Sequence, residues 1–227
     1  MDSFLSLIQF SDGLFPAGAY AHSFGLEYLI QSGEISSEAG VENFLHAYHE
    51  SSVAPTDAVA MLCALRAAQA DDLAECLALD EKLDAMKTSS ELREASCQMG
   101  RQTLRVANHI QDNKLLANFA EAVKTDATPG HHPVIFGMIG GVMAWPAREM
   151  AGAYLYSTSA ALVGAALRLM PLGQLAGQRI LSNVRPLITN LAEEIQDRTE
   201  SDIWSFAPAL EIASMRHAML DARLFRS

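Results

Sequence analysis

Apolar residues recur at three- and four-residue spacing along most of the chain, which is the period of an α-helix. A short apolar segment, Phe4–Phe10, leads into a turn-rich stretch, Ser11–Tyr20, that holds Asp12-Gly13 and Pro16-Ala17-Gly18. The pattern then predicts a helix from His22 to Ser32, stopped by Gly33. Ser36 or Ser37 caps the next one, whose buried stripe is Val41, Phe44, Leu45 and Tyr48. Pro55-Thr56-Asp57 is read as a restart of the chain. The helix after it is apolar around most of a turn (Val59, Met61, Leu62, Leu65), so it should be well buried. Leu73, Cys76 and Leu77 open another.

A long helix is predicted from Ser89 or Ser90, with Leu92, Ala95, Met99 and Val106 on one face, and Leu116, Phe119, Ala120 and Val123 mark a further one. Thr128–Pro133 is the clearest loop of the second half. Two small-residue-rich helices follow, Val134–Ala144 and about Ala147–Met170, the second ended by Pro171. Gly137, Gly140 and Gly141 lower helix propensity, and close approach by a neighbouring backbone is their expected use. The helical region Gly173–Asp197 contains Pro186, which should kink or divide it. A polar break precedes a last helix near Ala209–Ala222. The reading is an all-α, single compact multi-helix domain of about ten helices spanning 1–227.

Composition sharpens this. Hydrophobic residues make up 50% of the chain and aromatics 7%, so the core is built of Ala, Leu and Met, which suits closely packed helices. A formal net charge of −11, with 16 scattered Lys and Arg, speaks against nucleic acid as a partner. Cys63, Cys76 and Cys97 are far apart and form no CxxC pair, which fits reduced thiols and a cytoplasmic setting. The N-terminus lacks the basic region of a signal peptide. The apolar stretches Pro133–Ala147 and Ala151–Leu167 are read as buried core helices, not membrane spans.

The chain carries no GxxxxGK[ST] phosphate loop, GxGxxG, GxSxG or HExxH. The adjacent carboxylates Glu193-Glu194 and Asp71-Asp72 do not converge on one substrate, so an enzyme is not expected. A cysteine–histidine zinc site needs clustered ligands, and the cysteine spacing does not supply them. Two histidine groups are candidates for metal. Glu42, His46 and His49, with Glu50, fall on one side of a helix, where the competing reading is a solvated polar flank. His131-His132 sits in a Gly/Pro loop and is expected to be exposed and mobile, although adjacent side chains rarely chelate one ion well.

Phe15-Pro16-Ala17-Gly18-Ala19-Tyr20-Ala21-His22-Ser23-Phe24-Gly25-Leu26-Glu27 resembles the N-terminal signature of the UreF family of urease accessory proteins. Glu94–Gly100, His132–Gly137, Tyr154–Ser157, Pro171–Gln174, Ala213–His217 and Arg223–Ser227 resemble later family stretches in the same order. Gly18-Ala19 departs from the Gly-Gly common in the first turn, which is disfavoured if the second position needs a positive φ.

The resemblance implies a non-enzymatic urease maturation factor that forms a homodimer. It implies partners UreD/UreH, the GTPase UreG and the urease apoprotein, with nickel handled by the complex and no cofactor bound firmly. It points to Arg216, His217, Arg223, Leu224 and Phe225, in a tail of about 205–227, as contacts to UreD/UreH; docking of the tail on its own domain is the alternative. Pro16, Gly18, Tyr20, His22, Ser23 and Glu27 are assigned to the UreG side or the dimer. Gln98, Gly100, Gly173, Gln174 and Gln178 look like interior contacts, with Gln174 and Gln178, one turn apart, able to line a polar passage. The second functional reading is a direct nickel carrier or store using the His/Glu clusters.

Overall fold

The predicted periodicity is realised as helix after helix. The computed structural model describes residues 1–227 and contains no strand. Its eleven α-helices are α1 (Asp2–Ser11), α2 (Leu26–Gln31), α3 (Glu38–Tyr48), α4 (Val59–Gln69), α5 (Leu73–Met86), α6 (Ser90–Ile110), α7 (Lys114–Lys124), α8 (His132–Val142), α9 (Ala147–Leu169), α10 (Gln174–Glu194) and α11 (Pro208–His217). Several starts are capped as polar side chains dictate. Ser37 accepts from the Gly40 amide, Asp72 from Glu75 and Asn113 from Leu116.

The centre is the pairing of α4 with α8. Both are buried almost all round, and glycine sets how near they come. A β-carbon on Gly137 would overlap the Met61 carbonyl oxygen, and one on Gly141 would crowd that of Leu65. The expected use is therefore observed at Gly137 and Gly141, whereas Gly140 makes room for the Met150 and Trp145 side chains. α9 lies against α10, with α2 and α1 on its other sides. By length and composition α9 is the one helix able to cross a membrane; here half of that apolar window is buried in the fold. Trp145 is buried between Phe10 and Phe136, and its indole N–H donates to Ser6 Oγ (2.7 Å), which fastens α1 to the body.

Two proline readings need correction: the restart at Pro55 and the division at Pro186. Pro55 does not restart the chain. Residues His49–Ala58 continue from α3 into α4 as a π-helix, whose wider turn accommodates the missing N–H. Pro186 does not divide α10. Its ring removes the donor for the Ser182 carbonyl, and Arg185 Nε lies 3.4 Å from that oxygen. The helix predicted from His22 starts only at Leu26, because Phe24 (φ +52°) and Gly25 (φ +88°) are left-handed. The last helix stops at His217, short of Ala222, and frees the tail.

Candidate functional site: the docked tail and the signature loop

The widened turn of the π-helix has a structural use. Its carbonyls are offered to the segment that enters α11: Phe206 N donates to Ser51 O (3.0 Å) and Trp204 N to Pro55 O (3.3 Å). Thr56 Oγ1 donates to Trp204 O (2.5 Å). This fixes where α11 begins and aims the tail back across α2.

Glu27 organises the tail from beneath. Its carboxylate is fully buried and accepts from His217 Nε2 (2.8 Å), the Leu224 amide (2.7 Å) and the Phe225 amide (3.1 Å). Gln31 Nε2 adds a further bond at 3.2 Å. His217 Nδ1 is 2.8 Å from Glu91 Oε2, whose other oxygen accepts from Arg223. One carboxylate thus ties α2 to α11 and to the tail, and a second ties both to α6. A buried carboxylate is tolerable only with such full hydrogen bonding.

The extreme tail is held by the signature turn. The Ser227 main-chain oxygen accepts from the amides of Ser23 (2.6 Å) and Phe24 (3.1 Å) and from Ser23 Oγ (2.7 Å). His22 Nδ1 lies 2.9 Å from Ser227 Oγ. Burial, helped by the Arg226 charge, lowers the pKa of His22 to about 4, so it bonds as the neutral ring. A β-carbon on Gly25 would press on the Ser214 amide of α11, so this glycine serves both its φ and the close packing. Arg168 of α9 closes the cluster. Its guanidinium stands 3.6 Å from the centre of the Tyr20 ring and 4.1 Å from that of Phe225, and it donates to Tyr20 O.

The residues read from the sequence therefore divide. Pro16, Gly18, Tyr20, Arg216, Arg223 and Leu224 are exposed and can meet a partner. His22, Ser23, Glu27, His217 and Phe225 are buried, and in this conformation they hold the tail instead of contacting anything outside. The two groups assigned to different partners form one connected unit. Gly18 (φ +89°) supplies the only positive φ of the first turn, and Ala19 begins a short 3-10 turn without one, so the departure at Ala19 is harmless. Gln98, Gly173, Gln174 and Gln178 are exposed, not interior. Of that set, Gly100 alone is interior: a β-carbon there would overlap the Gly130 carbonyl.

The metal candidates also change. Glu42, His46 and His49 do not converge: Glu42 accepts from Asn183, while His49 is buried with Nε2 2.7 Å from Ser159 Oγ. Burial, with the nearby His46, lowers His49 to a pKa of about 4. His131 is buried, not exposed, and the two adjacent histidines diverge. His132 stacks on Tyr154, desolvated to a pKa of about 4, while His131 turns towards Asp84, Ser96 and Cys97. The cysteine spacing supplies no ligand cluster in sequence, but the fold brings Cys97 of α6 to 3.6 Å from His131 Nδ1. Arg168, Glu91, Asp80 and Asp84 were missed. Arg168 alone left a signal, as the one charge in the otherwise apolar second half of α9.

A cleft of about 610 Å³ lies beside this unit, between the 10–20 loop, the π-helix, α6, α9 and the start of α11. Its wall holds the ion pair Lys87–Asp57 (2.7 Å), and His132, Phe136 and Tyr154 lie at its apolar floor. The hydroxyls of Ser157 and Thr158 are engaged with the Tyr154 carbonyl in their own helix. The cleft is suited to holding an apolar group, and of its hydroxyls that of Ser96 lies 3.0 Å from His131 Nδ1.

Comparison with known proteins points to the same family as the sequence resemblance. The family model of UreF matches residues 35–185. The chain is 31% identical over 227 residues to a urease accessory protein UreF of Bacillus sp. (strain TB-90), covering all of both chains. It is 32% identical to that of Lachnoclostridium phytofermentans, again end to end. A urease accessory protein UreF 2 of Brucella canis is 33% identical over 97% of this chain and 90% of its own. On the family match and these full-length relatives, the chain belongs to the UreF family of urease accessory proteins.

Proposed function

We propose that this protein is a non-enzymatic scaffold of urease maturation, which joins UreD/UreH and the GTPase UreG to the urease apoprotein so that nickel is inserted. The observation that carries the reading is the number of large apolar side chains that the C-terminal segment exposes. Trp204, Phe206, Ile212, Met215, Met219 and Leu224 are all solvent-exposed, Met219 by 82% and Leu224 by 59%. A run of large apolar side chains facing water is the mark of a docking surface. Internal bonds hold the backbone beneath it in a set shape, which lowers the ordering cost of association. We assign this face to UreD/UreH, and the exposed Pro16, Gly18 and Tyr20 of the neighbouring loop to UreG or to a second copy of the chain.

The test is nickel-dependent urease activity in cells carrying the cognate urease genes, with this gene deleted and then restored. Background activity on deletion and recovery on restoration support the reading. Full activity without the gene contradicts it. A carrier or store built on Glu42, His46 and His49 is not favoured, because those side chains do not meet.

A further inference from the structure

On the side of the molecule formed by α5, α6 and the start of α8, three side chains of ligand type converge. Asp84 comes from α5, Cys97 from α6 and His131 from the N-cap of α8, and their ligand atoms all lie within 4.8 Å of one another. His131 Nε2 is 3.2 Å from Asp84 Oδ1 and 3.8 Å from Cys97 Sγ. Neighbouring ligands of a tetrahedral zinc-like ion, with metal–nitrogen and metal–oxygen bonds of about 2.0–2.1 Å and a metal–sulfur bond of about 2.3 Å, are spaced by roughly 3.3–3.6 Å. The two separations from His131 Nε2 bracket that spacing.

The surroundings fix the histidine as a ligand needs to be fixed. Asp80, one turn before Asp84, accepts from Thr128 Oγ1 (2.6 Å), the Gly130 amide (2.6 Å) and the His131 amide (2.7 Å). The loop carrying His131 is thereby locked, and bare Gly100 lets it lie against α6. Ser96 Oγ stands 3.0 Å from His131 Nδ1. With Nδ1–H donated to Ser96, Nε2 keeps its lone pair for the side where Asp84 lies, the arrangement that orients metal-bound histidines, and Cys97 Sγ lies beside the ring, 3.6 Å from Nδ1 and 3.8 Å from Nε2. Asp84 and Cys97 are only half-buried, so a cation held there keeps a coordination position open to solvent. Arg93 approaches the other Asp84 oxygen at 3.8 Å and leaves Oδ1 free of a cation.

We propose that Asp84, Cys97 and His131 form a binding site for one divalent late transition cation of the zinc, cobalt and nickel type. A thiolate with an imidazole selects such ions over magnesium and calcium, and thiolate plus carboxylate balance the double charge. On binding, the ion exchanges water for the three side chains, and the thiol proton passes to solvent.

The isolated full-length chain, kept reduced, is titrated with cobalt(II) and then with zinc(II) and nickel(II). The expected result is one cobalt per chain, a thiolate-to-cobalt charge-transfer band in the near ultraviolet, and loss of that band as zinc replaces cobalt. Cys97→Ser abolishes the band, and Asp84→Asn, at a half-exposed position, weakens zinc binding without unfolding the chain. Ser96→Ala weakens it by about 10–100-fold, as loss of a ligand's supporting partner does. Cys63→Ser and His46→Ala leave it unchanged. No thiolate band, or a band that survives Cys97→Ser, overturns the proposal. The assay contains no urease component, so it stands or falls separately from the maturation role.

Discussion

Glu27 and His217, 190 positions apart in the chain, meet at 2.8 Å with both side chains buried, and this contact decides the course of the C-terminal tail. The same carboxylate takes the Leu224 and Phe225 amides, so one side chain from the signature controls what the last residues present.

Replacing that carboxylate is expected to release the tail. Glu27→Ala leaves His217 Nε2 and two tail amides without an acceptor. Breaking a buried charged network in this way costs roughly 3–5 kcal/mol. The urea midpoint should fall, and trypsin should cut at Arg223 and Arg226 well before it cuts the body. A tail cleaved no faster than in the parent protein would contradict the anchor.

Arg168 is expected to act by stacking as much as by charge. Arg168→Ala loses contact with both the Tyr20 and Phe225 rings, at a cost of about 0.5–2 kcal/mol. Arg168→Lys keeps the charge but not the planar group and should restore little of it. Amide hydrogen exchange at Arg226, whose N–H bonds to Ala21 O, reads the effect locally.

In the core, Gly137→Ala forces a methyl group against the Met61 carbonyl, an atom of a helix backbone that cannot swing aside. The expected destabilisation is about 1–3 kcal/mol or more. Gly152→Ala, with open space around it, should be neutral or stabilising, because alanine is the better helix former. The comparison of the two in one denaturant series separates packing from propensity.

Acid should weaken the fold in a defined window. His22, His49 and His132 have pKa values lowered by burial from 6.5 to about 4. Between those values the unfolded chain binds more protons than the folded one, so unfolding free energy falls as pH falls. Stability from keeping these rings neutral is complete above pH 6.5 and is lost as pH drops towards 4. Thermal midpoints taken across that range should show the slope, and His49→Gln should flatten it.

The helical elements were largely legible, because period and capping are local. The stripe of Val41, Phe44, Leu45 and Tyr48 is buried as its spacing implies, and Gly137 and Gly141 meet a helix backbone. Pro55 did not restart the chain and Pro186 did not divide its helix, since a proline reports only its missing donor and not whether a π-turn or a nearby arginine compensates. The tail unit was half legible. Its residues stood out by resemblance, but pairing Glu27 with His217 or Ser23 with Ser227 depends on tertiary closure that no local pattern carries. The same holds for Cys97 and His131: 34 positions of sequence hide a 3.6 Å approach.

The most direct test of the account is co-purification of UreD/UreH with the wild-type chain and with Met219→Asp and Leu224→Asp, measured beside thermal midpoints. Both side chains are exposed, so folding should be unchanged. The account predicts that both variants melt like the parent yet lose the partner. Retention of UreD/UreH by both, at parental stability, would contradict the assignment of this face.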